Sequence, residues 1–353
     1  MVLSYNRNGG RDMKNPQIVF TKVNTAEWKE AQDREPGDSE VRVKTAVSTI
    51  SCGTERANIT GNANVSPYAE EGAPAVFPRY SGYSSAGIVV GVGKQVSSVR
   101  VGDRVAMYWS QHKLYNVLPE NNVVKIDDGV TYEEAALCHI GNFPLAALRK
   151  TRLEIGESVL VMGAGTLGLL AVVLARAAGA APILVADPDE HRRKKALSLG
   201  ADDALDPTEA GFAQRVKDLT GGDAAVAIEV TGLGAGLEEC LDGMARFGRV
   251  ALLGCTRDKN FTIDYYRKVH APGISLIGAH TLARPEYESH PGYFTNRDDI
   301  RAQLRLLAGK RIRYRDLVDE THAPTECAGV YDRLVHDRDF PPFVQFDWRC
   351  LWE

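Results

Sequence analysis

From residue 158 onward, short apolar runs alternate with longer stretches in which apolar positions recur every three or four residues. Residues 158–162 (SVLVM), 182–187 (PILVAD), 225–230, 249–254 and 274–279 (ISLIGA) read as strands. Residues 166–178, 191–199 and 236–245 read as helices between them. Apolar strands separated by amphipathic helices are the pattern of βαβ units and a parallel sheet. Upstream the pattern changes. Residues 18–23, 41–50 (VRVKTAVSTI) and 84–92 (SSAGIVVGV) read as strands, and 101–105 as a turn entering another. Residues 132–150 read as a helix with a break at Gly141 and Pro144. After the last strand, 281–297 is loop-like and aromatic, and 298–307 and 325–336 read as helices. The fold class is α/β, a doubly wound parallel sheet joined to a β-rich part. The segments are 1–150, 151–297 and 298–353.

The sharpest chemical signal sits where the first of these strands meets its helix. Val159 to Met162 is followed by Gly163-Ala164-Gly165-Thr166-Leu167-Gly168. A lone GxGxxG is weak, but here it follows an apolar strand and opens an apolar helix, the context of a Rossmann dinucleotide site. Gly163 permits the tight turn, Gly165 the approach of a pyrophosphate, and Gly168 close packing of helix on strand. The helix N-terminus, beginning at Thr166 and Leu167, adds free N–H groups and a positive dipole end. The second strand ends in Asp187, 19 residues after Gly168. A carboxylate there accepts from the adenosine ribose diol and repels a 2′-phosphate, which favours NAD over NADP. Arg192 and Arg193 lie close enough to soften that preference.

Composition narrows the classes. The 353 residues exceed one typical domain, and the apolar fraction of 44% suffices for sizeable cores. Charged residues make up 25% and the net charge is -4, so no basic excess points to nucleic acid. No apolar run approaches the ~20 residues of a membrane span. The N-terminus lacks the apolar core of a signal peptide, and Met13 is a candidate start that leaves 1–12 as a loose extension. Six cysteines, at 52, 138, 240, 255, 327 and 350, form no CxxC pair. A reducing cytoplasm is the expected compartment.

With the glycine motif, further segments occur in a telling order. They are Cys52-Gly53-Thr54-Glu55, Gly87 to Gly93, Gly102-Asp103-Arg104-Val105, Glu134-Ala135-Ala136-Leu137, Lys195 to Ala201, Val230-Thr231-Gly232 and Gly248 to Gly254. Over roughly residues 40–335 the chain resembles the medium-chain dehydrogenase/reductase superfamily, in its alcohol, sorbitol and threonine dehydrogenase branch. The resemblance implies a GroES-like catalytic domain made from the N-terminal part plus the C-terminal segment. It implies a Rossmann domain between them, an active site in the cleft, and Thr231 beside the cofactor. It also implies a homodimer or homotetramer, often built by pairing the last Rossmann strand, 274–279, across a two-fold axis.

Zinc-dependent members hold the catalytic metal with side chains from a Cys-Gly-x-Asp motif, a Gly-His-Glu motif, and a Cys or Glu before the Rossmann domain. Cys52 matches the first ligand. The second motif aligns with Gly82-Tyr83-Ser84, so tyrosine replaces histidine, and the third position falls at Cys138-His139. The segment that would carry four structural zinc cysteines reads Ala106-Met107-Tyr108-Trp109-Ser110-Gln111-His112, with none. The expectation is no structural zinc and a catalytic site without zinc. A rearranged zinc set would be Cys52, His139 and Glu55. The other reading of Cys52 is a small buried hydrophobe.

Without a metal, a side chain must polarise and deprotonate the alcohol. Tyr83 stands where the ligand histidine would be, Thr54 holds the family's proton-relay position, and His139 and His112 are candidate bases. The alternatives are that Tyr83 only fills space and that His112 is solvated. Residues 280–297, with Arg284, Tyr287, His290, Tyr293 and Phe294, read either as part of a substrate pocket or as a surface loop. The expected activity is NAD-dependent hydride transfer to or from a small-molecule secondary alcohol, of polyol, sugar or cyclitol type, or the matching ketone. The alternatives are a zinc-independent quinone or enoyl reductase, a zinc enzyme with rearranged ligands, and a non-catalytic NAD-binding sensor.

Overall fold

The computed structural model describes residues 14–62, 73–255 and 260–352. Met13 and the extension before it lie outside the described residues. The chain divides into two compact units. One runs to His139 and resumes at Val318, and the other is Ile140–Leu317.

The first unit opens with a β1 (Asn15–Lys22) and β2 (Thr25–Ala31) hairpin. It continues through β3 (Glu40–Thr49), the helix α1 (Cys52–Ile59), β4 (Ser84–Val92), β5 (Arg104–Tyr108), β6 (Tyr115–Pro119) and β7 (Val123–Lys125). Strand β3 is buried along nearly its whole length. It pairs antiparallel with β4 and β6, and the central position explains its rows of Val, Thr and Ala. The short helix α2 (Tyr132–Ala135) starts in a capping box, in which Thr131 and Glu134 satisfy each other's backbone N–H groups. Helix α3 (Cys138–Lys150) then crosses into the second unit. The expected break at Gly141 and Pro144 is absent. The helix passes through both, and the interruption falls at residues 136–137. Packing overrides local propensity here: a Cβ at Gly141 would stand 2.1 Å from Gln303 Oε1, so only glycine admits that side chain.

The second unit strings together β8 (Val159–Met162), α4 (Thr166–Ala178), β9 (Ile183–Ala186), α5 (Glu190–Ser198), β10 (Asp203–Leu205), α6 (Phe212–Thr220), β11 (Ala224–Glu229), α7 (Gly234–Asp242), β12 (Met244–Leu252), β13 (Ser275–Gly278) and α8 (Asn296–Ala308). Its six strands are all parallel, in the order β10-β9-β8-β11-β12-β13. This is the Rossmann arrangement, and the order reverses between β8 and β11, where such sheets bind ligands. Strands β8 and β9 are wholly buried, which accounts for their unbroken apolar runs.

The unit boundaries differ from the expected 150/151 and 297/298. Residues 140–150 and 298–317 belong to the second unit because they share one buried polar cluster. Asp299 lies 3.2 Å from Arg149 and 3.1 Å from Arg284, and Gln303 Nε2 donates to Asn142 Oδ1 at 2.8 Å. The first unit is completed by β14 (Glu320–His322), α9 (Cys327–His336) and β15 (Val344–Asp347). Strand β15 pairs antiparallel with β3. The core beneath it gathers Ile18, Phe20, Ile50, Ile59, Tyr331, Phe346 and Trp348.

Candidate functional site

The glycine loop leaves β8 at Gly163, whose backbone is left-handed (φ 102°) and whose N–H donates to Ala186 O at 2.7 Å. A Cβ there would meet Val230 and Thr231 side chains at 3.1 and 3.2 Å. At Gly168 it would stand 1.8 Å from the Gly163 carbonyl oxygen. At Gly165, the N-cap of α4, it would meet nothing within 4 Å. Two glycines are thus demanded by packing, while the middle one keeps a space open above the helix N-terminus. Thr166 and Leu167 form the first turn of that helix, at the positive end of its dipole. These are the features of a dinucleotide phosphate cradle.

Asp187 follows β9 and is buried. Its Oδ2 accepts the Ala164 N–H at 2.7 Å and its Oδ1 the Asp189 N–H at 2.9 Å. Each oxygen keeps a second lone pair for a ribose hydroxyl. Arg193 Nη1 is turned inward, where it donates to the carbonyls of Asp187 (2.6 Å) and Pro188 (2.9 Å). Asp189 caps α5 by accepting the Arg192 N–H, and the Arg192 side chain makes no ion pair among the described residues. Thr231 is held by Glu229, whose Oε1 accepts the Thr231 N–H at 2.7 Å and its hydroxyl as well. Burial pushes the Glu229 carboxyl up, against the pull of those bonds.

The first unit brings Tyr83 and His139 together. Their rings meet edge to face with centroids 5.4 Å apart. The Tyr83 phenol donates not to His139 but to Ser51 Oγ, at 2.5 Å. Trp109 packs on both rings, at 5.8 Å from Tyr83 and 4.9 Å from His139, and Tyr108 lies 5.5 Å from His139. Trp109 is 41% exposed and holds a left-handed backbone (φ 57°), a strained state for a bulky residue that clusters at functional sites. Thr54 sits half-buried in the first turn of α1. Ser51 and Trp109 were not singled out in the sequence. Ser51 carries a weak signal, as a serine at a helix start.

The rearranged zinc set does not assemble. Among the described residues no group of three His, Cys, Asp or Glu side chains comes close enough to hold a metal ion. The Cys52 sulfur faces carbonyl oxygens of Pro342 and Pro341, at 3.5 and 3.6 Å, and packs against the apolar core. Cys138 is fully buried, and burial pushes its thiol far up, away from the thiolate that binds metal. Glu55 is fully buried. It accepts the Ser51 N–H at 3.1 Å and the Tyr331 hydroxyl at 2.5 Å, and faces His112 Nε2 at 3.2 Å. Nor is His112 solvated, since it is fully buried between Glu55 and Ser48. The donor set therefore does not fit zinc.

In the segment 280–297, Arg284 is nearly buried. It donates to Asp299 at 3.1 Å and to Asn142 O at 3.0 Å, so it anchors this stretch rather than standing free as a surface-loop cation. His290 and Tyr293 pair through their backbones, and Tyr287 is exposed.

The family described as "Alcohol dehydrogenase GroES-like domain" matches residues 37–162, and "Zinc-binding dehydrogenase" matches 166–290. The L-threonine 3-dehydrogenase of Pyrococcus furiosus is 30% identical over 286 residues, covering 72% of this chain and 79% of its own length. The D-guloside 3-dehydrogenase of Escherichia coli K12 is 25% identical over 323 residues, 86% of this chain and 91% of its own. Among solved structures, a short chain alcohol dehydrogenase of Escherichia coli CFT073 complexed with NADH superposes with a TM-score of 0.80 at 20% identity. It covers 95% of this chain and 99% of that one.

Proposed function

The chain belongs to the medium-chain dehydrogenase/reductase superfamily, and from that premise we propose that it transfers hydride between NAD and a secondary alcohol, or the matching ketone, with protons handled by Tyr83 and His139 rather than by zinc. That it is an oxidoreductase using a nicotinamide cofactor agrees with its relatives. The finer reading rests on one observation: Tyr83 and His139 meet ring to ring, and among the described residues no group of three His, Cys, Asp or Glu side chains could hold a metal ion. The relatives that act on threonine and on a guloside support a secondary alcohol of polyol, sugar or cyclitol type.

Gly163, Gly165 and the N-terminus of α4 would hold the pyrophosphate, Asp187 the adenosine ribose, and Thr231 the neighbouring edge. The buried Asp187 carboxylate favours NAD over NADP. When bound, the nicotinamide accepts or supplies the hydride. When substrate is bound the Tyr83 phenol turns its hydrogen from Ser51 to the substrate oxygen, and His139 takes the hydroxyl proton as the carbonyl forms. Thr54 and Ser51 offer hydroxyls that steady that proton's path. Tyr83→Phe and His139→Asn each lower turnover on an alcohol panel at least about a hundredfold while NADH still titrates onto the protein. Full turnover in both variants would discard the assignment.

A further inference from the structure

We propose that Glu55 and His112 are positioning residues which hold the Tyr83 phenol in place from two sides. The proposal rests on the role for Tyr83 given above. From one side they act through Ser51. Ser51 occupies the N-cap of α1, but its hydroxyl makes no cap bond. Glu55 grips its backbone instead: Glu55 Oε1 accepts the Ser51 N–H at 3.1 Å and the Glu55 N–H donates to Ser51 O at 2.8 Å. The Ser51 hydroxyl is thereby left to accept the Tyr83 phenol at 2.5 Å.

From the other side His112 shapes the turn that carries Tyr83. Its N–H donates to Ser81 O at 2.8 Å. Gly82, immediately before Tyr83, has a left-handed backbone (φ 99°), and a Cβ there would stand 2.3 Å from His112 N. The imidazole then ties both sides together. Trp348 Nε1 donates to Ser48 Oγ at 2.8 Å, so the Ser48 hydroxyl hydrogen remains for His112 Nδ1 at 2.7 Å. That bonding assigns the ring proton to Nε2, which faces Glu55 at 3.2 Å. Glu55 and His112 are both wholly buried. A buried polar pair contributes little stability over a well-packed apolar one. Its presence directly behind Ser51 and Gly82 is accounted for by the pose of Tyr83.

The test compares His112→Leu, which fills the ring's space without hydrogen bonds, with His112→Gln, whose amide still donates to Glu55. Each is made with and without Tyr83→Phe in the full chain. NMR of protein labelled at tyrosine Cζ follows Tyr83, identified by the resonance lost in Tyr83→Phe. H112L lowers kcat at least about tenfold, leaves the KM for NAD unchanged and moves the Tyr83 resonance. H112Q stays within about threefold of wild type and keeps the resonance in place. In the Tyr83→Phe background H112L causes no further loss, because its effect passes through the phenol. An unmoved Tyr83 resonance in H112L, or the same fractional loss of kcat with and without the phenol, overturns the proposal. If Tyr83→Phe turns over like wild type, the catalytic role of Tyr83 fails, while the resonance still decides whether His112 positions it. If H112L does not fold, Glu55→Gln carries the NMR arm: a moved Tyr83 resonance supports the proposal and an unmoved one refutes it.

Discussion

Replacing Gly168 by alanine separates the packing role of the glycine loop from its binding role, when set against the same change at Gly165. At Gly168 the new Cβ would stand 1.8 Å from Gly163 O, about 1.6 Å inside the 3.4 Å at which ordinary contact begins. The obstacle is backbone, so loop and helix must part. Overpacking of this kind costs about 1–3 kcal/mol, offset by at most ~1 kcal/mol from alanine's better helix propensity. The displaced N–H groups also lose charge-assisted bonds to the pyrophosphate, worth about 1.5–3 kcal/mol each, so NADH affinity falls at least about tenfold. At Gly165 the added Cβ touches no protein atom and the backbone φ of -77° suits alanine. Stability there falls by less than ~1 kcal/mol, the difference in capping. Affinity still drops about as far, because the methyl enters the space kept for the phosphates. Thermal melts and NADH fluorescence titrations of the two variants read both quantities. A Gly165→Ala protein that binds NADH like wild type would refute the cradle, and a Gly168→Ala protein unchanged in both would refute the packing argument.

Asp187→Asn keeps a backbone acceptor but removes the charge that repels a 2′-phosphate. With Arg192, which makes no ion pair among the described residues, close by in sequence, the ratio of kcat/KM for NAD over NADP falls at least about tenfold, and an unchanged ratio would assign any preference elsewhere. Asp299 is pushed up from 3.8 to about 6, chiefly by burial and against the pull of Arg149 and Arg284. The folded state therefore holds this proton more tightly than the unfolded chain. Its contribution is full below pH 3.8 and is lost as pH rises through about 6, so the unfolding free energy of wild type relative to Asp299→Asn declines across that window in denaturant titrations. A rising difference would contradict the burial argument. We also predict a homodimer or homotetramer built on β13, the edge strand of the parallel sheet, whose residues are largely exposed. Light scattering of a monomer at micromolar concentration would rule that out.

Apart from β10 and α6, the second unit was readable because its signals are local. An apolar run buried on both faces, three glycines at fixed spacing and an acid at the next strand end each declare themselves within a few residues, and β8, α4 and Asp187 fall where expected. The first unit was readable only in part. Strand β4 falls on residues 84–92 as expected, but α1 was missed, since it begins with Cys-Gly-Thr and buries only Glu55, Ala57 and Ile59. Strands β14 and β15 are too short to stand out. The Tyr83–His139 meeting came from family resemblance, not from any local pattern. The burial of His112 had no local sign, because Glu55 and Ser48 lie 57 and 64 positions away in the chain. Gly141 misled for the same reason: the side chains that crowd it, Gln303 and Tyr314, lie far downstream.

The return of the chain to its first unit also fixes an order of events during synthesis. Gln345 donates to Thr49 across 296 positions, and Trp348 to Ser48 across 300. Until that last stretch leaves the ribosome, β3 has an open edge, Ser48 has no indole beside it, and Glu55 has no Tyr331. The parallel sheet between lacks no strand by then. A nascent molecule thus carries a finished nucleotide-binding half beside a half whose apolar interior is exposed, the state in which chaperone capture and strand-edge aggregation compete with folding.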